Sequence, residues 1–268
     1  MNLHGRSILL TGAGTGIGRS LALAVAGQQV RLTLVGRRRG PLEDVAGQVR
    51  AAGSEVHVIA ADLTGRGAPA DIVGQAAARF GGIDVLINNA GNVRAGRLEQ
   101  LSEQDVLSQI ALNLSAPVLL TRAALPQLRA SGDSLIVIIS SAMGLVGLPF
   151  YATYAATKAG IAHFAEALRR ELHGEGVGVL TVYPGATRTP MMESSKAGPD
   201  LGFDYESPQE VAAAVMAGIS DGKISVVRGG PNRTAMIAAN RDDPAALDRR
   251  LAGRKAALER AVKAHSSL

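Results

Sequence analysis

The amino-acid sequence predicts a single α/β domain, in which helices cover both faces of a doubly wound parallel sheet of about seven strands. A helical tail follows this domain. Three observations predict the fold: strand-like and helix-like segments alternate about six times, a seventh strand-like segment lies near residue 225, and no Pro/Ser-rich linker interrupts the chain. With 268 residues and 47% hydrophobic content, the chain can form one large core or at most two small ones.

Seven short β-rich segments are predicted as strands. SLIVIIS suits a strand that is buried on both faces, as in a parallel sheet, whereas VRLTLV alternates apolar and polar residues. The segments are SILL (7–10), VRLTLV (30–35), VHVIAA (56–61), a part of DVLINNAG (84–91), SLIVIIS (134–140), VGVLTVY (177–183) and ISVV (224–227).

The segments between these strands are predicted as helices. The first is rich in Ala and Leu and has Gly27 placed to end it, and the second has Pro41 at its start and Gly53 at its end. The later helices are expected near 68–79, over a long stretch near 102–129, over 152–172 and from about Ser207.

The tail, residues 231–268, differs from the main domain of residues 1–230. Its segment PAALDRRLAGRKAALERAVKAH spaces Leu247, Leu251, Leu258 and Val262 as one face of a helix, with charges between them. Two interpretations are open: the apolar stripe docks on its own domain, or it contacts another subunit.

Charge and composition argue against nucleic-acid binding and against a metal site. The net charge is +5, but the basic residues are spread out and the four Tyr and four Phe form no basic-aromatic array for stacking bases. A basic surface that attracts a polyanionic cofactor is therefore preferred over nucleic-acid binding. The chain has no Cys and only five scattered His, so no metal site is expected.

No membrane partner is expected either. The apolar run before the first Gly-rich turn is too short for a signal peptide, and no later stretch has the roughly 18 uninterrupted apolar residues of a membrane helix. A cytoplasmic protein is predicted.

The stretch TGAGTGIG (11–18) predicts a dinucleotide site. It follows the first strand and opens the first helix, whose free N–H groups and dipole favour a phosphate. Gly12 would permit the tight turn, Gly16 the close approach of a pyrophosphate, and Gly18 the tight packing of helix on strand. The spacing has one residue more than the six-residue Rossmann fingerprint, and the alternative is an ordinary glycine turn.

Three arginines, Arg37, Arg38 and Arg39, follow the second strand. Dinucleotide folds usually place an acid here to bind the ribose 2′-OH, but Gly36 occupies that place. A guanidinium suits a 2′-phosphate, so NADP(H) is favoured over NAD(H). The alternative is a solvated basic turn or a localisation patch.

Taken together, six stretches resemble the short-chain dehydrogenase/reductase family in order and spacing, over residues 5 to about 230. The six are TGAGTGIG, ADL (61–63), NNAG (88–91), Asn113 in LNLSAP, Ser141 before YAATK, and PGATRT (184–189). The resemblance implies a Rossmann-like NADP-binding catalytic domain. The chain departs from the family after VVRGGPN, because nearly forty more residues follow where the family often ends.

The resemblance implies that Tyr154 is the catalytic acid, since only Tyr154, and not Tyr151, has a lysine at the fourth position after it. An i+4 neighbour shares a helix face, so Lys158 can lie near the phenol and favour its ionised form. Tyr151 either lines the substrate pocket or packs, and packing is narrowly preferred. Ser141, rather than its competitor Ser140, would hydrogen-bond the substrate oxygen.

Asn113 resembles the family's helix asparagine that holds a proton-relay water beside the lysine. The alternative is an ordinary polar residue in a helix, which propensity disfavours.

The resemblance also implies the cofactor contacts. Asp62 and the Leu63 backbone would contact adenine, and Asn89 with the backbone of Ala90 and Gly91 would lie beside the adenosine ribose. Pro184 and Gly185 would approach the nicotinamide, and Lys158 would bind the ribose hydroxyls. Thr187 and Thr189 are candidates for contacts with the carboxamide and the diphosphate. The full implied set is Gly12, Thr15, Gly16, Ile17, Gly18, Arg37, Arg38, Asp62, Leu63, Asn89, Ala90, Gly91, Tyr154, Lys158, Pro184, Gly185, Thr187 and Thr189, where Thr189 fits its family position better than Thr187.

The expected function is NADP(H)-dependent hydride transfer between nicotinamide and a small-molecule carbonyl or secondary alcohol. The alternative is a non-catalytic NADP-binding redox sensor or regulator, which the four filled catalytic positions disfavour. A homo-oligomer, dimer or tetramer, is expected.

Residues 190–206 are expected to form a lid over the substrate, with an apolar wall of Met191, Met192 and Phe203. The Gly, Ser and Pro residues of this segment suggest that it is disordered without ligand.

Overall fold

A computed structural model describes residues 1–268, and its sheet confirms the predicted fold class. All seven strands are parallel, in the order β3-β2-β1-β4-β5-β6-β7. The strands are Ser7–Thr11 (β1), Arg31–Gly36 (β2), Glu55–Ala60 (β3), Val85–Asn88 (β4), Ser134–Ile139 (β5), Val177–Tyr183 (β6) and Ser225–Val227 (β7). The strand order reverses between β1 and β4, the place where open α/β sheets bind ligands.

Ten α-helices accompany the sheet, and they include every helix that the sequence predicts. They are Gly16–Val25 (α1), Arg39–Ala51 (α2), Ala68–Phe80 (α3), Glu103–Ile110 (α4), Ala116–Ser131 (α5), Ala152–Glu171 (α6), Pro208–Ser220 (α7), Gly230–Asp242 (α8), Pro244–Ala252 (α9) and Lys255–Val262 (α10). Ser207 caps α7 in a capping box with Glu210, because each side chain accepts a hydrogen bond from the other residue's backbone N–H.

The expected end of the first helix is wrong. The α-helix stops at Val25, and Gly27 lies inside a short 3₁₀ turn. The left-handed residue after that turn is Gln29, with φ of 53°, a conformation that glycine adopts more readily.

Two apolar clusters sandwich the sheet. Side chains from α1, α2 and α7 pack on one face, and side chains from α3, α5 and α6 pack on the other. The sheet is therefore buried on both sides, which explains why its strands are short runs of Val, Ile and Leu.

The long helical stretch predicted near 102–129 forms two α-helices, α4 and α5, which a short π-helical segment joins. Between α4 and α5, residues 111–115 form a π-turn, in which the N–H of Ala116 donates to the carbonyl of Ala111. By length and composition alone, Glu103–Ser131 is the one helical stretch long and apolar enough to cross a membrane. In this structure the stretch packs against α3 and α6.

The tail docks on its own domain, which decides between the two interpretations of its apolar stripe. Leu247, Leu258 and Val262 are buried in a third cluster that also contains Tyr151 and Phe203. The end of the chain is tied down by backbone hydrogen bonds, including those from Ala95 N to His265 O (3.0 Å) and from Ser267 N to Val93 O (2.9 Å). The interpretation that this stripe contacts another subunit is wrong.

This docking predicts a stability effect. Leu258→Ala is expected to lower the free energy of unfolding by about 2–5 kcal/mol, because it opens a cavity in a packed cluster. Leu98→Ala is the matched control: that side chain is 60% exposed, and its loss is expected to change stability by less than about 0.5 kcal/mol. Urea unfolding measures both, and equal small effects would contradict the docking.

The predicted lid has a defined conformation rather than the disorder that its composition suggests. It contains short 3₁₀ turns at Pro190–Met192 and Pro199–Leu201, and Phe203 between the sheet and the tail is 1% exposed. The Lys196 N–H donates to the Ala261 carbonyl (2.9 Å), so the tail anchors the lid.

Candidate active site

A cavity of about 630 Å³ lies at the carboxyl edge of the sheet and extends from the glycine turn to the end of β5. Every site residue that the sequence predicts lines this cavity, except Asn113. The carboxyl ends of parallel strands meet at this edge, so the fold brings together residues from six separate stretches.

The glycine turn has the conformation and contacts expected of it. Gly12 has φ of 65°, and a Cβ there would lie 2.9 Å from the Ala90 Cα. A Cβ on Gly18 would lie 2.1 Å from the Gly12 carbonyl oxygen, so only glycine allows this approach of helix to strand. Thr15 precedes α1 in an extended conformation without a side-chain cap, which leaves the helix N–H groups free for a phosphate.

Asn89 braces the glycine turn. Its Nδ2 donates to the carbonyls of Thr11 (2.9 Å) and Gly12 (3.2 Å), and its backbone N–H donates to Thr11 Oγ1 (3.0 Å). The Ala90 N–H also donates to Thr11 Oγ1 (3.1 Å), so this stretch is held against the glycine turn.

The three arginines after β2 differ in their surroundings. Arg37 and Arg38 are exposed, line the cavity and make no ion pair, whereas Arg39 lies 3.4 Å from Glu43 and does not line it. Two unpaired guanidinium groups therefore stand at one end of the cavity.

Asp62 lines the same end of the cavity. Its carboxylate accepts hydrogen bonds from the Thr64 N–H (2.9 Å) and hydroxyl (2.7 Å), and these bonds lower the pKa of Asp62. The positive charge of Arg37 contributes further to the lowering. Asp62 is thus an ionised acceptor at neutral pH.

Thr189 lies opposite the glycine turn. Gly16 has φ of 53°, and a Cβ there would lie 3.0 Å from Thr189 Cγ2. Thr187 is buried, and its hydroxyl donates to the Gly185 carbonyl (3.2 Å). Thr189 therefore has the freer hydroxyl beside the turn.

Ser141 and Tyr154 are brought together where β5 meets α6. Both side chains line the large cavity, and their hydroxyls lie near each other without a hydrogen bond of normal geometry, while Ser141 Oγ accepts from the Met143 N–H (3.1 Å). The hydroxyl of Ser140 points elsewhere, because it donates to the backbone carbonyl of Lys158 (2.7 Å). The structure thus places Ser141, and not Ser140, beside the tyrosine.

Lys158 is 5% exposed, and its Nζ donates to the Ile139 carbonyl (3.1 Å) and lies 5.8 Å from the centre of the Tyr154 ring. Burial lowers the pKa of Lys158 to about 8. Burial raises the pKa of Tyr154, and the nearby Ser141 hydroxyl opposes this only in part. The net shift is upward because burial outweighs the lowering expected from Lys158, so the phenol is protonated at neutral pH and can donate its proton.

Asn113 lies in the π-turn and is not an ordinary polar helix residue. Its Oδ1 accepts from the Asn92 N–H (2.9 Å), and its Nδ2 donates to the Asn92 carbonyl (2.9 Å) and to Thr157 Oγ1 (3.3 Å). A Cβ on Gly91 would lie 3.1 Å from Asn113 Oδ1 and 3.4 Å from Lys158 Nζ, so both side chains flank Gly91. The Nδ2 group therefore has both of its hydrogen bonds made, and Oδ1 accepts one.

Tyr151 both packs and lines the small cavity beside Tyr154, so the two alternatives open for it do not exclude each other. It is 2% exposed, and its ring centre lies 6.3 Å from that of Tyr154, 6.2 Å from that of Phe203 and 5.9 Å from that of His265. Burial raises the pKa of Tyr151, and its hydroxyl makes no hydrogen bond of normal geometry.

Sequence reasoning missed the part of the site that the tail supplies. Arg233 and His265 line a second cavity of about 50 Å³ behind Ser141 and Tyr154, and Leu268 lines the larger cavity. No local pattern marks these residues, since they reach the site only when the tail docks. No cluster of three or more His, Asp or Glu side chains comes together to hold a metal.

Comparisons with known proteins agree with this geometry. Residues 6–200 match the family described as short chain dehydrogenase. The chain is 37% identical over 235 residues to an 11-beta-hydroxysteroid dehydrogenase-like protein of Arabidopsis thaliana (84% of this chain, 76% of the relative). It is 34% identical over 226 residues to a ketoacyl reductase of Nostoc sp. (84% of this chain, 79% of the relative).

A solved structure is similar in fold. It is a short chain dehydrogenase/reductase from Burkholderia phymatum in complex with NAD, with a TM-score of 0.82 and 23% sequence identity. The likeness covers 91% of this chain and 95% of that chain. From the matched family and these relatives, the chain belongs to the short-chain dehydrogenase/reductase family of oxidoreductases.

Proposed function

We propose that the protein is an NADP(H)-dependent oxidoreductase that interconverts a carbonyl and a secondary alcohol, with Tyr154 as the general acid and base. The observation that supports this proposal is that Ser141, Tyr154 and Lys158 line the large cavity together, with the buried Lys158 Nζ 5.8 Å from the centre of the Tyr154 ring. General acid catalysis requires a proton donor within reach of the reacting oxygen.

The residues of the large cavity fit a dinucleotide. The glycine turn leaves no room for a Cβ at Gly12 or Gly18, and its helix N-terminus is free for a phosphate. The similar Burkholderia phymatum protein is in complex with NAD, which supports a nicotinamide dinucleotide here. When bound, such a cofactor supplies or accepts a hydride.

The protein's own residues would handle the proton. In the reducing direction Tyr154 donates its phenolic proton to the carbonyl oxygen, and the Ser141 hydroxyl donates a hydrogen bond to the same oxygen. The Lys158 ammonium lies near the phenol and would stabilise the phenolate that remains. Asn113 holds the Asn92 backbone beside Gly91 and so keeps the wall next to Lys158 in place.

A substrate panel tests the proposal. Aldehydes, ketones including steroid ketones, and 3-oxoacyl thioesters are incubated with the enzyme and NADPH, and NADPH consumption is followed by absorbance. We expect turnover of at least one class. Binding of NADPH without consumption by any of them would favour the redox-sensor alternative.

The unpaired arginines predict the choice of cofactor. We expect NADPH to bind more tightly than NADH, and Arg37→Ala to remove most of the difference, because an arginine fork recognises a 2′-phosphate. Arg39→Ala is the matched control, since Arg39 pairs with Glu43 outside the cavity and its loss should leave the preference unchanged. Equal dissociation constants for NADPH and NADH in the unmutated protein would refute this choice.

We also propose that the protein forms a homo-oligomer. Helices α4 and α5 expose the large apolar side chains Ile110 and Leu119 away from the cavity lining. Such side chains are commonly covered in an assembly. Sedimentation of the protein and of Leu119→Glu tests this proposal.

A further inference from the structure

A small cavity of about 50 Å³ lies behind the proposed catalytic pair. It shares Ser141 and Tyr154 with the large cavity, as well as the lid methionines Met191 and Met192. A substrate whose carbonyl lies at Tyr154 therefore has one direction in which it can extend inward. The volume is enough for a group of a few heavy atoms.

Arg233, from helix α8 of the tail, is the one charged side chain on the wall of the small cavity. The residue is 4% exposed. Its Nη2 donates to the Gly202 carbonyl (3.3 Å), but its Nη1 is buried without a hydrogen-bond partner. An arginine stays protonated in a protein, so a positive charge with an unpaired donor lies in the wall of this cavity.

No other group around the cavity balances this charge. Asp204 attracts the guanidinium from beyond ion-pair distance, and its carboxylate is already bonded to the Asn232 amide (3.0 Å). His265 is neutral at physiological pH, because burial and the Arg94 charge lower its pKa to about 4. A buried cation without a close partner is costly, which argues that the partner arrives with a ligand.

A second unused donor faces the same cavity. The Tyr151 hydroxyl is buried beside the Ser195 side chain and makes no hydrogen bond of normal geometry. Its phenol is protonated at neutral pH, since burial raises its pKa. A guanidinium N–H and a phenol O–H, both without a hydrogen bond of normal geometry, thus lie in the wall of a space that suits an anion with two acceptor oxygens.

We propose that the substrate is an oxo acid, whose carboxylate occupies the small cavity and accepts hydrogen bonds from Arg233 and Tyr151 while its carbonyl lies at Tyr154 and Ser141. This inference rests on the proposed function, because it names the substrate class of the same site. Arg233 is then a specificity-determining residue. The competing occupant is ordered water, which could satisfy both donors without any ligand.

Matched pairs of compounds test the proposal. Each pair is an oxo acid and its methyl ester, with the carboxylate two to four bonds from the carbonyl, assayed with NADPH. For at least one pair we expect kcat/KM to be about 10- to 100-fold higher for the acid. The net free energy of a hydrogen bond between charged groups corresponds to a ratio of that size. Arg233→Met should remove the preference, because it should lower kcat/KM much more for the acid than for the ester.

Arg241→Met is the matched control, because Arg241 lies on the same helix, is 79% exposed and pairs with Asp242. It should keep the preference for the acid. If Arg233→Met does not fold, Arg233→Lys replaces it, and it should keep only part of the preference because it has the charge without the planar fork. No preference for any acid in the unmutated protein, or an equal loss for acid and ester in Arg233→Met, would overturn the proposal.

A binding measurement separates this proposal from the proposed function. Calorimetric titration of butyrate should show binding to the unmutated protein and none to Arg233→Met, and the neutral isostere butyramide should bind to neither. Butyrate binding without any carbonyl turnover would support the anion site and refute the proposed reaction. Carbonyl turnover without butyrate binding would mean that the small cavity holds water only, and the inference would be wrong.

Discussion

Tyr154→Phe is expected to lower kcat by about 10²–10⁴-fold, the usual contribution of general acid catalysis. The substitution removes only the hydroxyl that lies beside Ser141 on the cavity wall. The ring stays, and the hydroxyl acts mainly in the transition state, so NADPH affinity should change little. Steady-state kinetics with a panel substrate, together with an NADPH titration, measures the two effects separately.

Tyr151→Phe is the matched control for this experiment. It makes the same chemical change at a ring whose centre lies 6.3 Å away and which packs against the rings of Phe203 and His265. It should change kcat by less than about tenfold, or roughly 1.4 kcal/mol, and raise KM if its hydroxyl contacts the substrate. Near-normal turnover in Tyr154→Phe with loss of turnover in Tyr151→Phe would show that the roles of the two tyrosines are reversed.

Lys158→Met is expected to abolish activity and yet to stabilise the folded protein. Activity falls because the phenolate loses its nearby cation, and cofactor binding should weaken if the lysine also contacts the ribose. Stability rises because the buried ammonium is costly: a fall in the lysine pKa from 10.5 to about 8 corresponds to about 3 kcal/mol at neutral pH. The Ile139 carbonyl loses its donor, which offsets about 1 kcal/mol of this gain.

The stability gain expected from Lys158→Met should depend on pH, which distinguishes it from a gain through packing alone. The pKa of Lys158 is lower in the folded state, so between pH 8 and 10.5 the unfolded chain binds more protons at this residue than the folded protein. The free-energy cost of burying the Lys158 ammonium is therefore present in full below pH 8, and it declines as the pH rises from 8 to 10.5. The stability gain of Lys158→Met in urea unfolding should decline in the same way. Lys223→Met, at an exposed side chain, should show no such gain, and a gain independent of pH would contradict the account.

Much of the fold could be predicted because its signals are local. An apolar run such as SLIVIIS suits a strand that two layers of helices cover, and β5 is Ser134–Ile139. The i+4 spacing of Tyr154 and Lys158 places both on one face of α6. Six separate stretches meet because parallel strands end at the same edge of the sheet.

The features that could not be predicted depend on contacts between distant parts of the chain. Arg233 and His265 reach the site only because α8 and the end of the chain dock against the lid. The composition of the lid suggests disorder, but the burial of Phe203 in the same cluster holds it in place. The π-turn around Asn113 has no simple sequence pattern, and it is visible only from its hydrogen bonds.

The central claim is that this chain uses Tyr154 to reduce a carbonyl with a nicotinamide dinucleotide. The most direct test is a single turnover with NADPH that carries deuterium at the transferable position, followed by mass spectrometry of the product. The account predicts one deuterium on the carbinol carbon with the unmutated protein and with Tyr151→Phe, and a yield lower by at least about 10²-fold at the same early time with Tyr154→Phe. NADPH binding without deuterium transfer to any carbonyl, or undiminished transfer in Tyr154→Phe, would contradict it.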